Sequence, residues 1–257
     1  MLLSRCLSGS KMKILLISDF MPPQMHGISV RCEEWVKGLR DLGHEVRVLT
    51  SKANSESSFA CEEEILPFNP DVKLAIPNQW TIKEVYEYSP DVVHIVSPSW
   101  AECMVWMTLY CQATDTPMVS SHHVNLPEYN KKYWKNKVFQ DFFTYMGKKT
   151  YYEDPMTYSE YICGPTLSSL SYFSSVKNYS KEKLRTFSTG INRDKFNANG
   201  ISYEDIQRVR ESTKSKESGL ICYAGRISKE KGLDIFVGIA EKNRSNKFII
   251  CGTGPEE

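Results

Sequence analysis

The sequence alternates short apolar runs with segments of helical periodicity, and this alternation limits the folds that the chain can adopt. KILLIS (13–18) precedes a helical pattern in which Ile28 and Trp35 share one face, and EVRVLT (45–50) follows after Gly43. Apolar runs of strand length between amphipathic helices are typical of βα units around a mostly parallel sheet. We therefore expect an α/β fold with doubly wound, Rossmann-like architecture.

The same alternation predicts further elements and two lobes. Helices are expected from about Ser99, Lys131 and Ser202. Further strands are expected at 72–76, 91–96, 117–121, near 156–159, and at 183–187, 220–224 and 247–251. Polar and turn residues accumulate after TGINRDKF, which predicts a domain boundary near residue 198. The first lobe is then 12–197, and 198–257 is the start of a second lobe.

Composition and charge disfavour several classes of protein. The 257 residues are 41% hydrophobic and 25% charged, with a formal net charge of +1. Such a chain lacks the broad basic face that neutralises nucleic-acid phosphates, so no nucleic-acid partner is expected. No stretch approaches about 18 consecutive apolar residues, so no transmembrane helix is expected. The first eleven residues are too poor in apolar residues for a secretory signal, and Met12 is a candidate start.

The eight cysteines are scattered and include no C-x-x-C pair. This spacing indicates neither a zinc site nor a disulfide framework. A reducing compartment is the simplest interpretation, and the expected localisation is cytoplasmic.

The segment ICYAGRISKEKGLDIFVGIA (221–240) combines the groups that bind phosphate. Gly225 permits a tight turn, Arg226 offers a planar fork of donors, and Lys231 adds a mobile positive charge. A helix predicted from about Leu233 directs its N-terminal N–H groups and the positive end of its dipole toward the same space. Arg226 and Lys231 are therefore predicted to bind a diphosphate. The alternative is a solvated βα turn that carries an arginine and a lysine.

Six segments, taken in order, carry a resemblance to a known family. They are PPQMHGISVRCEEWVKGLRDLGHEVRVLT, DVVHIVSPS, SSHHVNLPEY, STGINRDKF, YAGRISKEKGLDIF and IICGTGP. Together they resemble the retaining GT-B glycosyltransferases of family 4, and the most specific single match is G-R-x-x-x-x-K-G at 225–232. The resemblance implies two Rossmann-like lobes across a cleft, with the acceptor mainly on the first and a nucleotide diphosphate sugar donor mainly on the second.

The resemblance also implies roles for charged and glycine residues. Arg226 and Lys231 match the family pair that contacts the donor diphosphate and stabilises the departing nucleotide. In the opening loop the family usually has two adjacent glycines, where this chain has His26 and Gly27. Gly27 alone matches, and its N–H is predicted to approach a phosphate. His26 either adds a donor or crowds the loop.

His123 in SSHHVNLPEY aligns with a family histidine near the transferred sugar, and is predicted to orient sugar or acceptor. The alternative is a strand-end histidine satisfied by backbone groups, while His122 is assigned to packing. In the GTGP turn, Gly252 and Gly254 are candidates for the nucleotide loop. The family has no agreed protein nucleophile, so none is assigned.

The sequence contains no D-x-D motif, the carboxylate pair that holds a divalent cation in the other large glycosyltransferase architecture. Cationic side chains and a helix terminus are expected to replace the metal, so neither metal nor other cofactor is predicted. The adjacent pair His122 and His123 is not expected to bind a metal, because neighbours on a strand point to opposite faces.

The segment 130–149 places Trp134, Val138, Phe142 and Tyr145 near one helical face, with several lysines nearby. Many relatives glycosylate lipids, and such a helix can lie on an anionic membrane, so peripheral membrane contact is one interpretation. The alternative is a helix packed on the sheet with a solvated lysine face.

The chain departs from the family after GTGP, because the E-x7-E motif and the elements that finish the nucleotide pocket are missing from the sequence. A C-terminally truncated member is expected, whose second lobe is too small to be stable alone. Two functions stay open. The first is a retaining hexosyltransferase acting on a lipid or glycan hydroxyl, and the second is a non-catalytic binding or scaffold subunit.

The segment HHVNLPEY bears on which sugar is transferred. It most resembles the sulfoquinovosyl and related glycolipid-forming branch, with mannosyl or glucosyl transfer as the alternative. An oxidoreductase is disfavoured, because the first βα loop lacks G-x-G-x-x-G.

Overall fold

The computed structural model describes most of the chain, as two compact units. The described residues are 10–24, 26–52, 54, 56–59, 61–66, 69–97, 101–124, 136–147, 157–171, 173, 180–187, 190–215 and 219–257. The first unit extends to residue 188 and the second begins at residue 189. The division therefore lies several residues before the boundary expected near 198.

Strands and helices alternate along both units. The strands are β1 (Lys13–Ile17), β2 (Glu45–Leu49), β3 (Cys61–Leu66), β4 (Asn69–Pro77), β5 (Val92–Ser97), β6 (Met118–His122), β7 (Tyr161–Gly164), β8 (Leu184–Thr186), β9 (Leu220–Ala224) and β10 (Lys247–Cys251). The α-helices are α1 (Gly27–Asp41), α2 (Gln79–Tyr88), α3 (Ala101–Thr114), α4 (Lys137–Gly147), α5 (Leu167–Leu170), α6 (Tyr203–Ser212) and α7 (Leu233–Lys242). Within the ranges given above, no helix is both long and apolar enough to cross a bilayer.

A six-stranded parallel sheet organises the first unit. Its strand order is β2-β1-β5-β6-β7-β8, and every neighbouring pair is parallel. From β1 the chain turns to β2 on one side and later returns to β5 on the other. Open α/β sheets bind ligands at such a switch point, beyond the carboxyl ends of the strands.

Apolar side chains cover both faces of this sheet. Alternate residues of β1 point to opposite faces, so Leu15 and Ile17 belong to one buried cluster and Ile14 and Leu16 to the other. The first cluster includes methionines of α3, and the second includes Cys32 and its neighbours on α1. Burial on both faces is the pattern of a parallel sheet enclosed by helices.

The structure differs from the sequence prediction at two places in the first unit. The predicted strand 72–76 lies within β4, which pairs antiparallel with β3 in a separate two-stranded sheet. The strand expected near 156–159 is wrong, because residues 157–158 are helical and β7 begins at Tyr161. Ile162 of β7 is fully buried beside β6, so the apolar pairing lies beyond the predicted position.

One helix was not predicted from the sequence, and one predicted helix is described only in part. The sequence pattern missed α2, whose N-cap Asn78 forms a capping box with Thr81. The helix expected from about Lys131 is described only as α4, from Lys137, and residues 125–135 lie outside the described part.

The second unit contains a parallel β9–β10 pair with α6 and α7. Phe236 of α7 contacts Tyr223 and Phe248 with its ring. However, no described apolar residue of this unit is buried, and Ile235 is 66% exposed. Burial of apolar surface is the main force that stabilises a fold. Because this unit buries little apolar surface, it gains little stability from that force.

We expect the two units to differ in stability when they are produced separately. Residues 10–187 contain both buried clusters and should unfold in one cooperative thermal transition, followed by far-UV circular dichroism. Residues 190–257 should show no such transition, because their described apolar side chains remain accessible to solvent. A sigmoidal transition in the smaller fragment would contradict this expectation.

Candidate functional site

A buried hydrogen bond holds the loop after β1 in place, and the helix that follows the loop is capped by a histidine. Asp19 is 3% exposed, and its Oδ1 accepts a hydrogen bond from the Ala75 backbone N–H at 2.8 Å. His26 is the N-cap of α1, where its Nδ1 accepts from the Ile28 N–H at 3.2 Å. The imidazole of His26 also stacks on the Phe20 ring at 4.6 Å. His26 therefore takes the role of a capping acceptor.

Gly27 is the first residue of α1, at the carboxyl edge of the sheet. A Cβ atom built on Gly27 would meet no atom of the described residues within 4 Å. The described part of the fold therefore does not require a glycine here and leaves space beside the helix N-terminus. The predicted approach of a phosphate to Gly27 stays a prediction.

A group of histidines lies on β5 and at the end of β6, and two of them contact α1. We call His94, His122 and His123, with Arg31 and Trp35, the histidine cluster. The Arg31 Nη1 lies 3.0 Å from the His123 Nδ1. The Trp35 ring lies 5.0 Å from the His94 ring and 5.7 Å from the His123 ring, measured between ring centroids. One helix of the first lobe thus contacts the predicted sugar-orienting histidine directly.

The three histidines of the cluster are kept uncharged by their surroundings. Burial lowers the pKa of the His94 imidazole to about 4, and His94 Nε2 lies 2.5 Å from the Ser121 Oγ. Burial likewise lowers the pKa of His122, which packs edge-on against Phe173, to about 4. For His123, burial and then the nearby Arg31 charge lower the pKa to about 3. All three imidazoles are therefore neutral at neutral pH.

These pKa shifts predict that acid weakens the fold. In the unfolded chain each histidine takes up a proton near its ordinary pKa of 6.5, whereas the folded chain resists protonation. The stabilisation is complete above pH 6.5 and is lost as pH falls toward the folded pKa values. Urea titrations between about pH 7 and 5 should show the free energy of unfolding falling by up to about 1.4 kcal/mol per pH unit for each histidine.

A His122→Gln variant is the control for this titration, since it removes one titrating group from the cluster. Its free energy of unfolding should depend less steeply on pH than that of the unmodified chain. Equal slopes for the two proteins would show that the buried imidazoles do not govern the acid response.

In the second unit, Arg226 and Lys231 lie on the connection between β9 and α7. The Tyr223 hydroxyl donates to the Arg226 carbonyl at 2.8 Å, which fixes the start of the connection. The Arg226 side chain is half-buried, and Lys231 is exposed at the end of a short 3-10 turn. Gly232, with a left-handed φ of 64°, follows as the N-cap of α7 and provides no side-chain hydrogen bond. The structure thus places both predicted cations just before the N-terminus of a helix.

The GTGP turn runs beside this connection at very close range. The Gly225 N–H donates to the Cys251 carbonyl at 3.0 Å, and the Ile227 N–H donates to the Thr253 carbonyl at 2.9 Å. A Cβ on Gly252 would lie 1.8 Å from the Gly225 carbonyl oxygen, and one on Gly254 would lie 2.0 Å from that of Ile227. Both glycines therefore have a steric role in packing. Their predicted contact with a nucleotide stays a prediction.

The sequence pattern did not predict four residues of the first-lobe site, namely Arg31, Trp35, His94 and the nearby Phe187. One signal was available, because Arg31 follows Ile28 by three residues and precedes Trp35 by four, within the apolar stripe of α1. A charged residue in such a stripe indicates a partner inside the fold. Among the residues that the structure describes, no three His, Cys, Asp or Glu side chains form a metal-binding group.

The fold of the chain is similar to those of solved GT-B glycosyltransferases. A glycosyltransferase from Rickettsia africae ESF-5 matches at a TM-score of 0.59 and 14% identity, over 95% of this chain and 69% of that one. An E. coli structure named trehalose-6-phosphate, bound with UDP-2-fluoro glucose, matches at a TM-score of 0.52 and 10% identity, over 95% and 64%. The predicted α/β fold of GT-B type, with Rossmann-like lobes, is confirmed. This chain thus spans about two thirds of the length of those proteins.

A comparison of sequence families agrees with the fold. Residues 25–195 match the family described as Glycosyltransferase Family 4. The chain belongs to this family. No curated protein sequence matches it significantly.

Proposed function

We propose that this protein transfers a hexose from a nucleotide diphosphate sugar to a hydroxyl group of a lipid or glycan, with retention of anomeric configuration. Membership of glycosyltransferase family 4 supports the transfer of a sugar. The observation that carries the donor class is the β9–α7 connection, which contains both Arg226 and Lys231 ahead of a helix N-terminus. We further propose that the reaction takes place in the cytoplasm.

The proposed chemistry is electrostatic. As the bond between sugar and diphosphate breaks, negative charge develops on the departing nucleotide. The Arg226 guanidinium and the Lys231 ammonium bind that charge, and the N-terminal N–H groups of α7 add to the positive potential. These fixed charges do the work of a divalent cation, so the proposal requires no metal.

The first lobe contributes two residues to the proposal. Gly27 allows an anionic group to approach the N-terminal turn of α1, where the described residues leave space. His123 orients the sugar or the acceptor hydroxyl. HHVNLPEY supports a glycolipid product of the sulfoquinovosyl type, and only its first three residues are described.

Donor binding is expected to depend on both cations. Arg226→Ala and Lys231→Ala should each weaken binding of a nucleotide sugar by about 10- to 100-fold, because a charge-assisted hydrogen bond contributes about 1.5–3 kcal/mol. Isothermal calorimetry with UDP-glucose, GDP-mannose and ADP-glucose identifies the donor that binds and then measures the loss.

Lys229→Ala is the matched control, because Lys229 lies on the same 3-10 turn and its Nζ approaches Glu256 Oε1 at 3.8 Å. This variant should keep the affinity of the unmodified chain. Unchanged affinity in both the Arg226 and Lys231 variants would remove the proposed diphosphate site.

We also propose that α4 lies on an anionic membrane surface. Val138 is 76% exposed, Phe142 54% and Tyr145 59%, and these three residues share one helical face. This exposure supports the membrane interpretation over the alternative in which the face packs on the sheet. The sequence around α4 is rich in lysine, which favours anionic lipid headgroups.

Vesicle pelleting tests the membrane contact. The chain should pellet with phosphatidylglycerol-containing vesicles more than with pure phosphatidylcholine, and high salt should reduce the binding. Phe142→Glu should lower the pelleted fraction several-fold. Trp80→Glu, at a 59% exposed aromatic residue of α2, should leave it unchanged. Equal pelleting of both variants would argue against α4 as the contact.

The exposed apolar side chains of the second unit favour one other function, a non-catalytic binding or scaffold subunit. A chain with this function would bind a partner through the glycosyltransferase fold without turning over a donor. Release of nucleoside diphosphate from the bound donor distinguishes the two functions, because only the enzyme produces it.

A further inference from the structure

Arg31 makes a contact that restricts the protonation of His123. Its Nη1 lies 3.0 Å from the His123 Nδ1, across 92 positions of sequence. A guanidinium group carries only donors, so the Nδ1 in this contact must accept the hydrogen bond. A neutral imidazole has a single ring proton, which is then on Nε2.

Two aromatic rings hold Arg31 in this position. Its guanidinium carbon lies 5.6 Å from the centre of the Trp35 ring and 5.5 Å from that of the Phe187 ring. Trp35 is on the same helix, whereas Phe187 follows β8 at the far edge of the sheet order. Because the cation is held over rings from two separate elements, Arg31 is a fixed donor rather than a mobile surface charge.

The other nitrogen of His123 is buried and has no hydrogen-bond partner in the part of the chain that the structure describes. The accessible surface of His123 Nε2 is close to zero, and no described group accepts its proton. An unsatisfied buried donor costs about 1–3 kcal/mol. A buried donor of this kind is retained where a ligand atom accepts its hydrogen bond. For an Nε2–H donor, the accepting ligand atom is an oxygen.

The neighbourhood of His123 favours its neutral state. Burial and the Arg31 charge hold the pKa of its imidazole far below the ordinary value. The charged or titratable groups that act on it are Arg31, His94, His122 and His26. All of these are bases, so none of them stabilises an imidazolium at His123.

We propose that Arg31 is a positioning residue that holds His123 as its neutral Nε2–H tautomer, so that His123 donates a hydrogen bond to a ligand oxygen and does not act as a base. The inference rests on the proposed function only in identifying that oxygen as part of the sugar or acceptor. A neutral imidazole with its proton on Nε2 has no lone pair on that atom to remove a proton from a hydroxyl. It serves instead to recognise a hydroxyl or anionic oxygen.

Nitrogen NMR of the full chain measures the tautomer directly. The chain has five histidines, and a His123→Gln variant assigns the signals of His123 in a ¹⁵N-histidine-labelled sample. Long-range ¹H–¹⁵N correlations should show a protonated Nε2 and an unprotonated Nδ1. This pattern should persist between about pH 5 and 8, the range in which an ordinary histidine titrates.

Arg31→Met removes the donor while retaining an unbranched side chain. In this variant His123 should show a mixture of tautomers, while burial keeps the imidazole neutral over this pH range. Arg40→Met, an equivalent change on the same helix at a residue paired with Glu56, should leave the His123 pattern unaltered. Arg31→Lys keeps a charged donor and should restore the Nε2–H tautomer.

An Nδ1–H tautomer in the unmodified chain would overturn the proposal, whether or not the variants fold. An unchanged tautomer in folded Arg31→Met would also overturn it. Neither measurement uses a nucleotide sugar. The tautomer result is therefore independent of donor binding at Arg226 and Lys231, and either proposal can fail without the other.

Discussion

The burial of β1 on both of its faces determines where the first-lobe site lies. Ile14 and Leu16 face the helix α1, and Leu15 and Ile17 face the opposite layer, so the strand must lie inside the sheet. With β2 on one side and β5 on the other, the order of strands reverses beside it. Apolar burial therefore places the loop after β1, the capped start of α1 and the ends of β5 and β6 at one edge.

Much of this fold follows from the sequence, because strands buried on both faces leave continuous apolar runs. The strand β3 was missed because CEEEIL interrupts such a run with three glutamates. In the structure Glu63 pairs with Lys73 on β4 at 3.1 Å, so charge pairing across a hairpin replaces the apolar signal. The strand β7 was predicted a few residues too early in the sequence. A short apolar run between polar residues does not define clearly where a strand begins and ends.

The candidate site was predictable only in part. The cations of the β9–α7 connection follow from a local pattern, since they lie within six residues of each other in the sequence. The contact between Arg31 and His123 joins two segments far apart in the chain, and no local pattern contains it. The capping role of His26 depends on the direction of its ring, which residue type alone leaves open. Roles set by geometry between distant segments therefore need the structure.

The close approach of the GTGP turn to the Arg226 connection has a mechanical consequence. Three backbone hydrogen bonds join these stretches, and at Gly252 and Gly254 their chains touch without intervening side chains. Neighbouring backbones packed so tightly cannot slide past one another. A displacement of the connection that contains Arg226 would therefore also displace the GTGP turn after β10. The two stretches would move together as one rigid unit.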